Sequence, residues 1–150
     1  MDTAQDVKSF CCTLSYFSRT LHKGIFMKLL MYFLRYWFPV MLWCGVIFYL
    51  SSVPSLESGF ATPVDWMLRK VAHVAEYAVL TWLLFRALHD GKHANKKTAI
   101  YLAAGLALLY ASSDEFHQRF VPGRQGRVRD VAVDAIGIAA AGVIIAKKLR

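Results

Sequence analysis

The sequence predicts an all-α membrane protein, folded as a polytopic four-helix transmembrane bundle. Of its 150 residues 57% are hydrophobic and the mean hydropathy is +0.38, both high for a soluble domain of this size. The apolar residues form four long stretches with charged residues clustered between them. Each stretch approaches the roughly 20 residues that a membrane-spanning helix needs. A chain of this length has room for one domain.

The four predicted spans cover residues 29–50, 69–88, 98–118 and 130–146. In the first span Pro39 predicts a kink, which membrane helices tolerate. In the fourth span Gly137 and Ala141 lie one turn apart, and such a pair of small residues allows a neighbouring helix to approach closely.

Residues 28–150 are predicted to form the transmembrane domain, and residues 1–27 an N-terminal extension. The extension is weakly patterned, and two interpretations are open. It is either an interfacial segment or an artefact of a misassigned start, in which case translation begins at Met27. The three cysteines have neither metal-ligand spacing nor the pattern of a disulfide framework.

The basic residues predict the orientation in the membrane. With four spans, both termini and the 89–97 loop share one side and carry most of the lysines, whereas the 51–68 loop on the other side has no Lys or Arg. This balance predicts a multi-pass protein with both termini in the cytoplasm. The net charge of +8 is therefore interpreted as anchoring to lipid headgroups, and no nucleic-acid partner is predicted because no such motif is present. The second outer loop opposes the pattern with four arginines, Arg119, Arg124, Arg127 and Arg129.

Ionisable residues converge on the outer half of the predicted bundle. Such groups are costly inside a bilayer, so their presence indicates a functional site. Helical spacing places residues three or four apart on one face, as in the stripe formed by Lys70, His73 and Tyr77. The side chains predicted to enclose one cavity are Lys70, His73, Tyr77, Asp114, Glu115, His117, Gln118, Arg124, Asp130 and Asp134.

A structural explanation is open for individual members of this set. Asp130 has the residue type and position of an N-cap for the fourth span. Lys70 or Arg124 could pair with Asp114 or Glu115 and so neutralise the cluster.

Three ordered motifs carry a resemblance to a known family. They are Lys70-x-x-His73-x-x-x-Tyr77, then Asp114-Glu115-x-His117-Gln118-x-Phe120-Val121-Pro122-Gly123-Arg124, and then Asp130-x-x-x-Asp134-x-x-Gly137. Together with Ser51-Ser52-x-Pro54 they resemble the VanZ-like membrane protein family over about residues 40–146. Arg127 and Arg129 make the loop more basic than the family pattern.

The resemblance implies a four-helix protein of the bacterial inner or cytoplasmic membrane. It is similar to a founding member associated with low-level resistance to the glycopeptide teicoplanin, which links the family to cell-envelope processes. The resemblance names neither a reaction nor a cofactor, and fold alone does not fix function.

Three functions are open from the sequence. In the first, the outer face binds an anionic lipid headgroup or a lipid-linked ligand, because the guanidinium fork suits phosphate and carboxylate. The residues predicted to bind this ligand are Lys70, Tyr77, Gln118, Arg124, Asp130 and Asp134.

In the second, the chain is a small intramembrane enzyme acting on a lipid-linked substrate. Histidine titrates near neutral pH and a carboxylate can orient it, which makes His73, Asp114, Glu115 and His117 the candidate catalytic residues. No short metal-binding motif is present and no metal site is predicted, although a divalent metal held by these four residues and Asp134 is an alternative. In the third, the chain is a structural or transport component, for which four helices without an internal repeat are few.

Overall fold

The computed structural model describes residues 25–53, 63–91, 93–122, 124 and 126–148, and every regular element within them is an α-helix. The five helices are α1 (Ile25–Tyr36), α2 (Phe38–Ser52), α3 (Pro63–His89), α4 (Lys96–Gln118) and α5 (Val128–Lys148). The predicted all-α class is therefore confirmed for the described residues.

Not every helix has the composition of a membrane span. By length and composition Met67–His89 is suited to cross a membrane, and Ile25–Tyr36 with Phe38–Ser52 is suited to do so as one broken span. The alanine-rich α4 and α5, which carry charges near their ends, do not meet the same criterion. The arrangement of four transmembrane helices stays a prediction.

The first predicted span is two helices, separated at Trp37. Pro39 lies in the first turn of α2, where its missing N–H costs nothing, whereas in a continuous helix its ring would clash with the carbonyl four residues earlier. The chain divides near this break into two compact units, Met1–Arg35 and Tyr36–Arg150. Residues 1–24 lie outside the described residues, so the N-terminal extension stays a prediction.

The core of the second unit depends on small residues that let helices approach closely. On α4 four alanines at every fourth position are fully buried: Ala99, Ala103, Ala107 and Ala111. On α5 a Cβ atom at Gly137 would overlap the carbonyl group of Val74 on α3. The expectation that Gly137 marks a close helix contact is confirmed by this geometry, and Ala141 is buried one turn later.

Two side-chain hydrogen bonds attach α2 to its neighbours. The Trp43 indole Nε1 donates to the Glu76 carbonyl on α3 at 3.0 Å. The Tyr110 hydroxyl on α4 donates to the Cys44 carbonyl at 2.7 Å. Because both acceptors are main-chain oxygens, these bonds fix the helix axis of α2 against α3 and α4.

We expect Gly137→Ala to lower the free energy of unfolding of the protein in detergent by about 1 to 3 kcal/mol, the usual cost of overpacking. The added methyl group meets main-chain atoms of α3, which cannot rotate away. The matched control is Gly105→Ala, because a Cβ there meets nothing within 4 Å and alanine favours the helix. Equal stability of Gly137→Ala and Gly105→Ala would contradict the proposed contact.

Candidate functional site

The polar residues of α3 and α5 meet in two successive pairs. The Lys70 ammonium on α3 pairs with the Asp130 carboxylate on α5. One turn further along each helix, His73 Nδ1 lies 3.2 Å from Asp134 Oδ1. Asp134 is only 1% exposed, so the second pair lies inside the bundle whereas the first is at its partly exposed end.

Glu115 on α4 completes this group from the third helix. One donor atom each from His73, Glu115 and Asp134 can be chosen so that all three lie within 4.8 Å of one another. We call these three residues the His73 cluster. The Arg127 main-chain N–H donates to Glu115 Oε2 at 3.0 Å, which orients the carboxylate.

The His73 cluster has hydrogen-bonding capacity that the described residues do not use. Glu115 Oε1 and Asp134 Oδ2 are buried and have no hydrogen-bond partner among the described residues. Buried carboxylate oxygens are normally paired, since burying an unpaired charged group is costly. Two unpaired oxygens in one cluster therefore indicate a site that serves binding or chemistry better than stability.

Asp114 and Tyr77 lie beside the His73 cluster on the same side of α4 and α3. Gln118 Nε2 donates to Asp114 Oδ2 at 2.9 Å, and both residues are buried. The Tyr77 side chain is fully buried, and the Asp114 and Asp134 carboxylates are close enough to act on it electrostatically. Eight of the ten predicted site residues thus lie along the facing surfaces of α3, α4 and α5.

His117 points in a different direction. Its Nε2 lies 3.1 Å from the Ser52 hydroxyl on α2, and its ring stacks on Phe48 with centroids 4.7 Å apart. The Ser52 hydroxyl also donates to the Phe48 carbonyl at 2.7 Å. These contacts join α4 to the end of α2, and the predicted catalytic role of His117 stays a prediction.

Arg124 also reaches the end of α2. Its Nη2 donates to the Leu50 carbonyl at 2.7 Å and its Nε to the Val53 carbonyl at 3.2 Å. A cation is favourable there because the last carbonyls of a helix are unpaired and carry partial negative charge. Burial, followed by the charge of Arg69, lowers the pKa of the Arg124 guanidinium. The binding role predicted for Arg124 stays a prediction beside this structural one.

The loop before α5 begins with a tight turn. The Arg124 N–H donates to the Val121 carbonyl at 3.1 Å, the hydrogen bond that closes such a turn, and Pro122 stands at its second position, where proline is favoured. Gly123 lies outside the described residues. Asp130 is in the first turn of α5 and does not cap it, because the helix already begins at Val128.

An open groove runs between α4 and α5 and reaches Glu115. Its volume is about 480 Å³. Apolar side chains form most of its wall, Arg119 lies at one end, and Glu115 connects it to the His73 cluster. The residues lining it are Leu108, Ser112, Glu115, Phe116, Arg119, Val131, Ala132 and Ala135.

Two contributors to the site were missed at the level of sequence. The sequence indicates only that the Arg127 side chain adds positive charge to the loop, whereas in the structure its main-chain N–H donates to Glu115. Gly126 makes this approach possible, since a Cβ there would overlap the Glu115 carbonyl oxygen. The sequence signal for this close approach is a glycine that lies between two arginines, in the loop after a polar motif.

Comparison with known proteins identifies one family. A family model described as VanZ/LLP1 matches residues 33–150, which is most of the chain. No curated protein and no solved structure matches the chain significantly.

We expect Glu115→Gln to raise the free energy of unfolding in detergent, without added ligand, by about 1 kcal/mol, as is common when a functional site is neutralised. Glutamine retains an oxygen for the Arg127 N–H and removes a negative charge beside Asp134. Asp90→Asn is the control, because Asp90 is exposed and its replacement should change stability little. A clear loss of stability in Glu115→Gln would show that the carboxylate is structural.

Proposed function

This chain belongs to the VanZ/LLP1 family, and we propose that it is a membrane protein that acts on a lipid-linked anionic ligand. The α4–α5 groove holds the lipid part of the ligand, and the His73 cluster carries out acid–base chemistry on the headgroup. One observation carries this proposal: Glu115 is at once a wall of the apolar groove and a member of the buried cluster.

Placement in a membrane is supported by the outward-facing surface of the bundle. Large apolar side chains are exposed on every described helix, and extensive exposed apolar surface marks contact with a membrane or another protein. Examples on successive helices are Met41, Tyr49, Val71, Trp82, Tyr101, Leu109, Ile136 and Ile144. We propose the bacterial cell membrane, with both termini in the cytoplasm and the His73 cluster toward the outer face.

The chemistry assigned to the cluster follows from the His73–Asp134 pair. A carboxylate at His73 Nδ1 orients the imidazole ring and stabilises its charged form, which leaves the other ring nitrogen to exchange a proton with a water or a headgroup hydroxyl. Glu115 stands beside the pair as a second proton carrier. The burial of Asp134 and Glu115 strengthens each of these electrostatic interactions, because they are weakly screened inside the bundle.

Binding without catalysis is the second candidate. It is favoured by Arg119, which lines the groove where a phosphate or carboxylate of a seated lipid would lie. A phospholipid, a polyprenyl-phosphate carrier of the cell wall and a lipid-bearing drug share this chemistry. Teicoplanin resistance would follow from either candidate if the ligand were the drug or its lipid-linked target.

We expect Ala135→Phe to reduce the amount of lipid that co-purifies with the protein by about tenfold, since a phenyl group fills the apolar part of the groove. Ala140→Phe is the matched control because Ala140 is exposed on another part of α5. Lipids are extracted from equal amounts of purified protein and quantified by mass spectrometry. Equal lipid content in both variants would remove the groove from the proposal.

We expect His73→Gln to retain bound lipid but to lose conversion of its headgroup by about 10² fold or more, the usual contribution of a general acid or base. His89→Gln is the control, because His89 forms a similar pair with Asp90 at the other end of α3. Each variant is incubated with total bacterial lipid, and headgroup masses are compared before and after. Unchanged headgroups with the parent protein would leave binding alone as the function.

A further inference from the structure

The His73 cluster has the composition of a metal site. Its three donors come from three helices, within 4.8 Å of one another. Asp134 is 1% exposed and Glu115 4% exposed, and each has a buried oxygen without a hydrogen-bond partner among the described residues. Burial and unpaired oxygens distinguish this cluster from an acidic patch on a solvated surface.

The charges of the cluster favour a cation. Two carboxylates lie within 4.8 Å of each other in a buried environment, where their repulsion is weakly screened. The Lys70 ammonium is bonded to Asp130, and Arg124 donates to the carbonyls at the end of α2. A proton on His73 would offset one carboxylate, whereas a divalent cation would offset both.

The distance between His73 and Asp134 is that of two ligands around one ion. Two atoms bound to the same ion at about 2.1 Å lie about 3.0 to 3.4 Å apart in octahedral or tetrahedral geometry. His73 Nδ1 and Asp134 Oδ1 are 3.2 Å apart, and a Glu115 carboxylate oxygen lies within 4.8 Å of a ligand atom of each residue. We infer that His73, Glu115 and Asp134 bind one divalent first-row transition-metal ion, for which Zn²⁺ and Mn²⁺ are the appropriate probes.

The donor set selects the class of metal. An imidazole nitrogen with two carboxylates suits Zn²⁺ or Mn²⁺, whereas Mg²⁺ and Ca²⁺ prefer oxygen ligands alone. Three protein ligands leave at least one coordination position open, as in catalytic metal sites. The Arg127 N–H donates a hydrogen bond to Glu115 Oε2, and such a bond to a carboxylate ligand holds it in place at a metal site.

The inferred metal adds a specific chemical group to the proposed function. Its role toward the ligand rests on that proposed function. The open position would receive a water or an anionic oxygen of a headgroup whose lipid part lies in the adjoining groove. With Nδ1 on the ion, the other ring nitrogen of His73 would carry the ring proton and could donate it but not accept one. The base would then be a water on the ion, whose pKa a bound Zn²⁺ can lower to about 7.

The test is metal uptake by the tag-free full chain in detergent. The purified protein is stripped with a chelator, dialysed, and titrated with ZnCl₂ or MnCl₂ by calorimetry, and bound metal is counted by mass spectrometry. We expect one ion per chain. Each of three substitutions should weaken metal binding by at least about tenfold: His73→Gln, Glu115→Gln and Asp134→Asn. About tenfold is the lower limit because the loss of a residue that only hydrogen-bonds a metal ligand already has an effect of that size. His89→Gln with Asp90→Asn removes a comparable His–Asp pair at the end of α3 and should leave binding unchanged.

Each outcome decides between the metal and its alternatives. No uptake by the parent protein overturns the inference, even if the cluster variants fail to fold, and a water molecule then explains the unpaired oxygens. Uptake lost equally in the His89 and Asp90 double variant also overturns it. Metal binding without any effect on lipid content or headgroup mass supports the site and refutes the proposed function. Headgroup conversion that survives full removal of metal supports the function and refutes the metal.

Discussion

The close contact of α3 and α5 at Gly137 and Val74 is the constraint on which the site depends. Backbones can approach this closely only where a side chain is missing. The contact sets the register of the two helices, and from that register His73 meets Asp134 and, one turn outward, Lys70 meets Asp130. A larger residue at position 137 would separate the helices and with them both pairs.

The third helix reaches the site by the same means. The buried alanine stripe of α4 continues in the direction of its C-terminus as Asp114, Glu115 and Gln118, which occupy the same core-facing surface. Small residues in the first part of α4 let it pack closely against the neighbouring helices. The polar residues on the same face in its last turns are therefore buried inside the bundle. The fold therefore buries carboxylates whose desolvation is costly, and the unpaired oxygens of the His73 cluster are the result.

The 119–129 loop, which carries four arginines, makes contacts within the protein that its charge alone does not indicate. Arg124 bonds to carbonyls at the end of α2, and Arg127 contributes its main-chain N–H to Glu115. Of the four arginines, Arg124 thus binds the end of α2 and Arg127 orients Glu115, whereas Arg119 lines the groove. A local excess of positive charge can therefore serve helix ends and buried carboxylates as well as an external anion.

The sequence by itself determined the helical class, the approximate helix bounds and the polar stripes, because these depend on residue type and on the 3.6-residue period. The motifs of the VanZ-like family also stand in the sequence, and the family match agrees with them. Only the tertiary structure decided which polar residues meet. His117 contacts Ser52 and not His73, and Arg124 contacts α2 and not the site. The sequence does not indicate these partners, because they depend on helix rotation and on contacts between residues more than 60 positions apart. The break at Trp37 and the placement of Gly126 against Glu115 likewise follow from packing.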